Sequence, residues 1–134
     1  PSKLHEMPVD ENLIMGTAMC MSLVGYKPIV CFERMDFMLS CMDAIMNHLD
    51  KLPKLSGCQF NFPVIIRACV GHNEPLDPGI QHICDYTELF KTYTDICVVE
   101  LEHTNLIVDW YKRAYASTKP WMLVEYRRLY DRGD

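Results

Sequence analysis

Several features that mark other classes of protein are missing from this sequence of 134 residues. The 13 lysines and arginines are outnumbered by 18 acids, and no basic patch with interleaved aromatics occurs, so nucleic acid is not expected as a partner. No apolar run approaches the roughly 20 residues that a membrane span needs, and no charged-then-apolar signal pattern occurs at the N-terminus. We therefore expect no membrane association and a cytoplasmic location, or the mitochondrial matrix if the source is eukaryotic.

Disulfide and metal frameworks are also missing. The seven cysteines contain no C-x-x-C pair, and an odd number of cysteines inside apolar segments is typical of reduced core thiols. Neither they nor the five histidines have the spacing of zinc ligands, so no metal site is predicted. With 49% apolar and 23% charged residues, the composition is that of one globular domain with a real core.

Short, continuous apolar runs alternate with helical patterns along the chain. The predicted strands are 28–32, 63–70, 95–101 and the start of 119–131, and the predicted helices are 11–24, 36–52 and 103–117, with a short helix or turn in 80–93. Segments 53–62 and 71–79 are predicted as loops. This alternation is typical of an α/β fold with a mostly parallel sheet and helices on both faces. Such sheets have their sites in the loops after the strands, here 33–37, 71–82 and 100–105.

One acid, Glu11, stands at the front of a helix of small and apolar residues, for which Asp10 is the predicted N-cap. A helix that is apolar on all sides is expected to be buried on all sides, and this domain is expected to self-associate or to pair with another chain to cover it. Glu11 is then either a first-turn acid that complements the helix dipole, worth about 0.3–1 kcal/mol, or a functional carboxylate. The residues alone leave both interpretations open.

Four segments follow one another in a recognisable order: GTAMCMSLVGYKP (16–28), FERMDF (32–37), DAIMNH (43–48) and KPWMLVEYRRLY (119–130). Together with Glu11, they resemble the pyrimidine-binding domain of thiamine-diphosphate enzymes in the transketolase-like superfamily. The resemblance is closest to the beta subunit of the 2-oxo-acid dehydrogenase decarboxylase component. In that family the acid precedes a G-x-A-x-G-x-A-x-x-G-x-R-P helix. Cys20 stands here at the middle glycine and Lys27 at the arginine.

The resemblance implies roles for five side chains. Glu11 would share a proton with a ring nitrogen of the cofactor's aminopyrimidine, from a dry niche that raises the pKa of the carboxyl. Phe37 would stack on the pyrimidine, Val9 would form an apolar wall beside the thiazolium, and Glu33 would add a second acid near the cofactor where the family usually has an apolar residue. His82 would relay protons on the substrate side. The alternatives are a core role for Phe37, a Glu33 side chain that points away from the pocket and a turn-capping role for His82.

The G-D-G…N motif, through which this family holds Mg²⁺ and the diphosphate, does not occur in the sequence. The resemblance therefore implies that an alpha-type subunit or domain supplies that half of the site, in a homo- or hetero-oligomer. It also implies that residues 1–134 form a partial domain without the family's first strand and helix. The predicted function is the pyrimidine-binding half of a thiamine-diphosphate-dependent enzyme that acts on a 2-oxo acid. The alternatives are a transketolase-like enzyme for sugar phosphates and a non-catalytic assembly or regulatory domain.

Overall fold

The structure is a computed structural model that describes residues 3–130, and its centre is a four-stranded, all-parallel sheet. The strands are β1 (Ile29–Phe32), β2 (Ile65–Val70), β3 (Cys97–Glu100) and β4 (Trp121–Tyr126), in the order β1-β2-β4-β3. The α-helices are α1 (Glu11–Leu23), α2 (Leu52–Leu55), α3 (Thr87–Tyr93) and α4 (Thr104–Ala116). Each strand lies inside a predicted run, so the parallel α/β fold expected from the sequence is confirmed.

Helices pack on both faces of the sheet, and the strand order explains which helix lies on which face. The chain steps in one direction from β1 to β2 and then to β3, but it turns back from β3 to β4. Right-handed crossovers therefore place α4 on the opposite face from the other connections. One core contains Met15, Ile45, Ile66, Phe90 and Met122, and the smaller core under α4 contains Ile65, Leu101, Ala114 and Leu123.

Helix α1 begins at the predicted residue and ends at Leu23, one residue before the predicted end. The Asp10 carboxylate accepts a hydrogen bond from the Leu13 N–H at 2.9 Å, and Gly25, with φ of +95°, closes the C-terminus. The expectation that this helix is buried on all sides was wrong. Only the face with Met15, Ala18, Met19 and Ser22 is buried, because the sheet lies on one side of the helix. The opposite face leaves apolar residues such as Leu13 about half exposed.

The single helix predicted for 36–52 was wrong in its detail. The chain instead forms a 3₁₀ segment (Met35–Cys41), a π segment (Ala44–Leu49) and then α2, which replaces the start of the loop predicted for 53–62. Met35, Met38 and Cys41 are all buried and are spaced by three residues. A 3₁₀ turn of three residues keeps these side chains directed at the sheet, whereas an α-helical turn of 3.6 residues would rotate them away.

The segment 71–79 contains no helix or strand, as predicted, and 80–93 holds a 3₁₀ turn (Ile80–His82) followed by α3. No helix within residues 3–130 is long and apolar enough to cross a membrane.

Candidate functional site

The start of α1 meets the 3₁₀ segment just beyond the carboxyl end of β1. The Ser40 hydroxyl lies 3.0 Å from Glu11 Oε2 and 2.7 Å from the carbonyl oxygen of Phe37. A hydroxyl has one hydrogen, so Ser40 shares its donor between these two acceptors. The Glu11 side chain is half-buried, and the Phe37 ring is 42% exposed. A carboxylate and an accessible aromatic ring therefore lie at the edge of the sheet where the sequence predicts a site.

His82 reaches the same place from the loop that follows β2. Its ring lies edge-on to the Phe37 ring, with 5.4 Å between the centroids and an interplanar angle of 89°. Glu11, Phe37 and His82 come from three separate segments of the chain. We refer to them as the Glu11–Phe37–His82 cluster.

The backbone of the loop holds His82 in this position. A Cβ on Gly71, the residue directly after β2, would lie 1.7 Å from the carbonyl oxygen of His82. Only glycine permits this close approach. Within the loop, the Asp77 carboxylate accepts a hydrogen bond from the Gly79 N–H at 2.8 Å, and the His82 N–H donates to the Gly79 carbonyl at 3.1 Å. The loop therefore folds back onto the end of β2 and presents the imidazole to Phe37.

Asp36 and Ser40 were not identified from the sequence, although both support the cluster. Asp36 Oδ1 accepts a hydrogen bond from the Cys84 N–H at 3.3 Å, which ties the His82 loop to the 3₁₀ segment. Asp36 Oδ2 is buried and has no hydrogen-bond partner within the described part of the chain. Both residues lie within three positions of Phe37. Their closeness to that ring in the sequence was the one signal that could have identified them.

The electrostatic effect of Glu11 is visible on a neighbouring thiol. Burial and, to a smaller extent, the negative charge of Glu11 together raise the pKa of the Cys41 thiol to about 12. Cys41 is therefore a neutral core group beside the carboxylate. The dry niche expected around Glu11 is only partly present, since residues 3–130 leave this side chain half-buried.

Two of the predicted residues lie outside the cluster. Val9 precedes α1 and is 96% exposed, so no wall forms around it within the described residues. Glu33 is exposed and lines a cavity on the α4 side of the sheet, together with Arg34 and Arg67. The cofactor-binding roles of Val9 and Glu33 remain predictions. No three side chains of the metal-binding types lie close enough together in residues 3–130 to hold a metal ion.

Three relatives illustrate what the chain is similar to. The pyruvate dehydrogenase E1 component subunit beta of Cyanidium caldarium is 29% identical over 129 residues, which cover 96% of this chain and 39% of the relative. The chloroplastic subunit beta-3 of Arabidopsis thaliana is 28% identical over 129 residues, covering 96% and 31%. The acetoin:2,6-dichlorophenolindophenol oxidoreductase subunit beta of Cupriavidus necator is 33% identical over 89 residues, covering 60% and 26%.

No family model matches the chain. The similarity to the two pyruvate dehydrogenase subunits extends over nearly all of this chain, but the chain spans less than half of the length of each. The chain is therefore similar over nearly its whole length to E1 beta subunits of pyruvate dehydrogenase, and the resemblance carried by its sequence motifs is confirmed.

Proposed function

We propose that this chain is the pyrimidine-binding half of a thiamine-diphosphate-dependent enzyme that acts on a 2-oxo acid. The observation that carries the proposal is the Glu11–Phe37–His82 cluster, in which a carboxylate, an accessible ring and an imidazole meet at the carboxyl end of the sheet. The relatives support the substrate class, since two of them are named as pyruvate dehydrogenase subunits.

The residues present suit one half of such a site. The Phe37 ring is accessible enough to stack on a planar heterocycle, and the Glu11 carboxylate, held by Ser40, offers an acceptor for a proton shared with a ring nitrogen. When it is bound, thiamine diphosphate supplies the electron sink for breaking the bond beside a 2-oxo group. His82 would move protons on the substrate side, and its contact with Phe37 fixes the imidazole relative to the stacking ring.

The other half of the site is assigned to a partner in this proposal. An alpha-type subunit or domain would bind Mg²⁺ and the diphosphate, because the sequence has no G-D-G…N motif. The half-burial of Glu11 and the exposed apolar side chains of α1, including Leu13 and Leu23, support a partner that packs here and excludes water. The oligomer and its location in the cytoplasm or mitochondrial matrix remain predictions.

The test is Glu11→Gln, which keeps the shape of the side chain and its ability to accept from Ser40 but removes the exchangeable carboxyl proton. In the complex with a diphosphate-binding alpha-type subunit and Mg²⁺, we expect hydrogen–deuterium exchange at the thiazolium carbon of thiamine diphosphate to slow by about 10²–10⁴-fold. The affinity for thiamine diphosphate, measured by isothermal titration, reports binding separately from proton transfer. Glu88→Gln is the control, because this acid lies on α3 and pairs with Lys91.

Unchanged exchange in Glu11→Gln would exclude the catalytic role and leave Glu11 as a first-turn acid whose removal costs only a few tenths of a kcal/mol. A different result would favour the non-catalytic alternative: no binding of thiamine diphosphate by the wild-type chain, either alone or with the partner. Equal slowing in Glu88→Gln would show that the effect is not specific to the cluster.

A further inference from the structure

The polar cavity that Glu33 lines lies on the α4 side of the sheet, on the opposite face from α1. It has a volume of about 310 Å³ and is lined by three arginines, Arg34, Arg67 and Arg127, together with Tyr130 and Glu33. Cys31 and Cys69, on the neighbouring strands β1 and β2, also line it. The convergence of three arginines is unusual in a chain of net charge −5.

The parallel topology explains why these arginines meet. Arg67 lies in the middle of β2, directly beside Cys31 of β1 in the register of the sheet. Arg34 follows the end of β1 by two residues, and Arg127 directly follows the end of β4. Since all the strands run the same way, the residues after their ends are brought to the same edge.

The cavity retains hydrogen-bond donors that the protein does not use. Arg67 commits Nε and Nη2 to the Glu125 carboxylate, at 2.8 and 2.7 Å, which is two of its five N–H groups. Arg34 donates from Nη1 to the carbonyl oxygen of Glu33 at 2.7 Å. The Nε of Arg34 is buried and has no acceptor among residues 3–130. Buried donors are nearly always paired, so the described chain does not fully satisfy the Arg34 guanidinium.

Among residues 3–130, the charges around the cavity also leave an excess of positive charge. Glu125 neutralises Arg67, and Glu33 can balance only one of Arg34 and Arg127. Guanidinium groups bind carboxylates and phosphates through paired, planar N–H donors. We propose that this cavity binds a small anion carrying a phosphate or carboxylate group, held by Arg34 and Arg127 over the Arg67–Glu125 pair. Its volume suits a ligand of a few heavy atoms, at the lower end of small-molecule pockets.

The test is a titration of the full chain with inorganic phosphate and, in a separate arm, with acetate, both at ionic strength held constant with sodium chloride. The readout is the arginine Nε–H signals in ¹⁵N-correlated NMR spectra. In the wild type we expect saturable shifts of the Arg34 signal. We expect a loss of affinity of about tenfold in Arg127→Gln, followed through Arg34, and in Arg34→Gln, followed through the Arg67 and Arg127 signals. The matched control is Arg128→Gln, since Arg128 is adjacent in sequence but packs on the Tyr126 ring instead of lining the cavity.

Saturation by phosphate alone, by acetate alone or by both supports the proposal and assigns the class of ligand. The proposal is overturned if neither anion saturates the Arg34 signal, or if Arg128→Gln weakens binding as much as Arg127→Gln does. Far-UV circular dichroism confirms that each variant is folded before its titration is interpreted. None of these outcomes depends on thiamine diphosphate, so the test is independent of the function proposed for the Glu11–Phe37–His82 cluster.

Discussion

The ion pair between Arg67 and Glu125 joins the two central strands, and we predict that it contributes strongly to stability. Glu125 accepts hydrogen bonds from Arg67 Nε and Nη2 at 2.8 and 2.7 Å and from the Tyr130 hydroxyl at 2.6 Å. The Glu125 side chain is 15% exposed and that of Arg67 is 42% exposed. Exposed pairs contribute about 0–1 kcal/mol, whereas removing one partner of a fully buried pair costs about 3–5 kcal/mol.

Glu125→Gln is therefore expected to lower the free energy of unfolding by about 2–3 kcal/mol, between those limits. In a domain of this size, that corresponds to a fall in Tm of about 10 °C. Arg67→Met combined with Glu125→Gln should cost less than the sum of the two single changes, because the double variant leaves no unpaired charge. The measurement is urea unfolding followed by far-UV circular dichroism.

The matched control is Glu102→Gln. Its partner Arg128 lies at 3.8 Å, and both side chains are about half exposed, so the expected cost is below about 1 kcal/mol. A cost of Glu125→Gln as small as that of the control would refute the reasoning. Fully additive costs in the double variant would do so as well.

The same pair predicts a dependence on pH. Burial raises the pKa of the Glu125 carboxyl, but the hydrogen bonds from Arg67 and Tyr130 outweigh that effect and hold the pKa below its usual value. A carboxyl with a lowered pKa stabilises the folded state fully above its unfolded pKa, about 4.3, and loses that contribution as the pH falls through the folded value. The difference between the wild type and Glu125→Gln should therefore be full at pH 7 and shrink below about pH 4. A difference that stays constant with pH would contradict this explanation.

Two further experiments, one substitution and one labelling reaction, test the packing around the Glu11–Phe37–His82 cluster. Gly71→Ala should displace the carbonyl of His82, lower the free energy of unfolding by about 1–3 kcal/mol and shift the NMR signals of the His82 ring. Gly16→Ala is the control: a Cβ there meets nothing within 4 Å, so the His82 signals should not move. The second test is thiol labelling. Cys41, with its pKa raised to about 12 mainly by burial, should resist iodoacetamide at pH 8 in the native protein, while the exposed Cys58 reacts. Labelling is measured by mass spectrometry, and labelling of Cys41 as early as that of Cys58 would contradict this expectation.

The strands and the sheet type could be predicted because local patterns determine them. Runs such as 63–70 are apolar except for Arg67 and do not alternate, which distinguishes a strand covered on both faces from one that is half-exposed. The caps of α1 were equally local, since Asp10 and Gly25 form them with residues no more than four positions away. The number of residues per turn in the helical segment 36–52 is not determined by neighbouring residues in this way. Its 3₁₀ start is set by the spacing of Met35, Met38 and Cys41 against the sheet, and a 3.6-residue pattern search does not detect it.

The candidate site shows the same division between local and non-local determinants. Glu11 and Phe37 carry recognisable motif positions, but their approach through Ser40 depends on α1 packing against the 3₁₀ segment. His82 depends on one contact across the fold, the space that Gly71 leaves for its carbonyl group. Glu33 follows β1 within the same motif as Phe37, yet it lines the cavity on the other face. The sequence motif therefore identified the residues, while the topology of the fold determines on which face of the sheet each one lies.

The incomplete burial of Glu11 follows from the same geometry. One face of α1 packs on the sheet, and that contact covers the carboxylate from one side only. The other apolar face, with Leu13 and Leu23 about half exposed, points away from the core of this chain. Exposed apolar surface next to a half-buried acid is costly for an isolated domain, but it suits a surface on which a second domain completes the niche. The surface of α1 and the accessibility of Glu11 are thus two consequences of one packing arrangement.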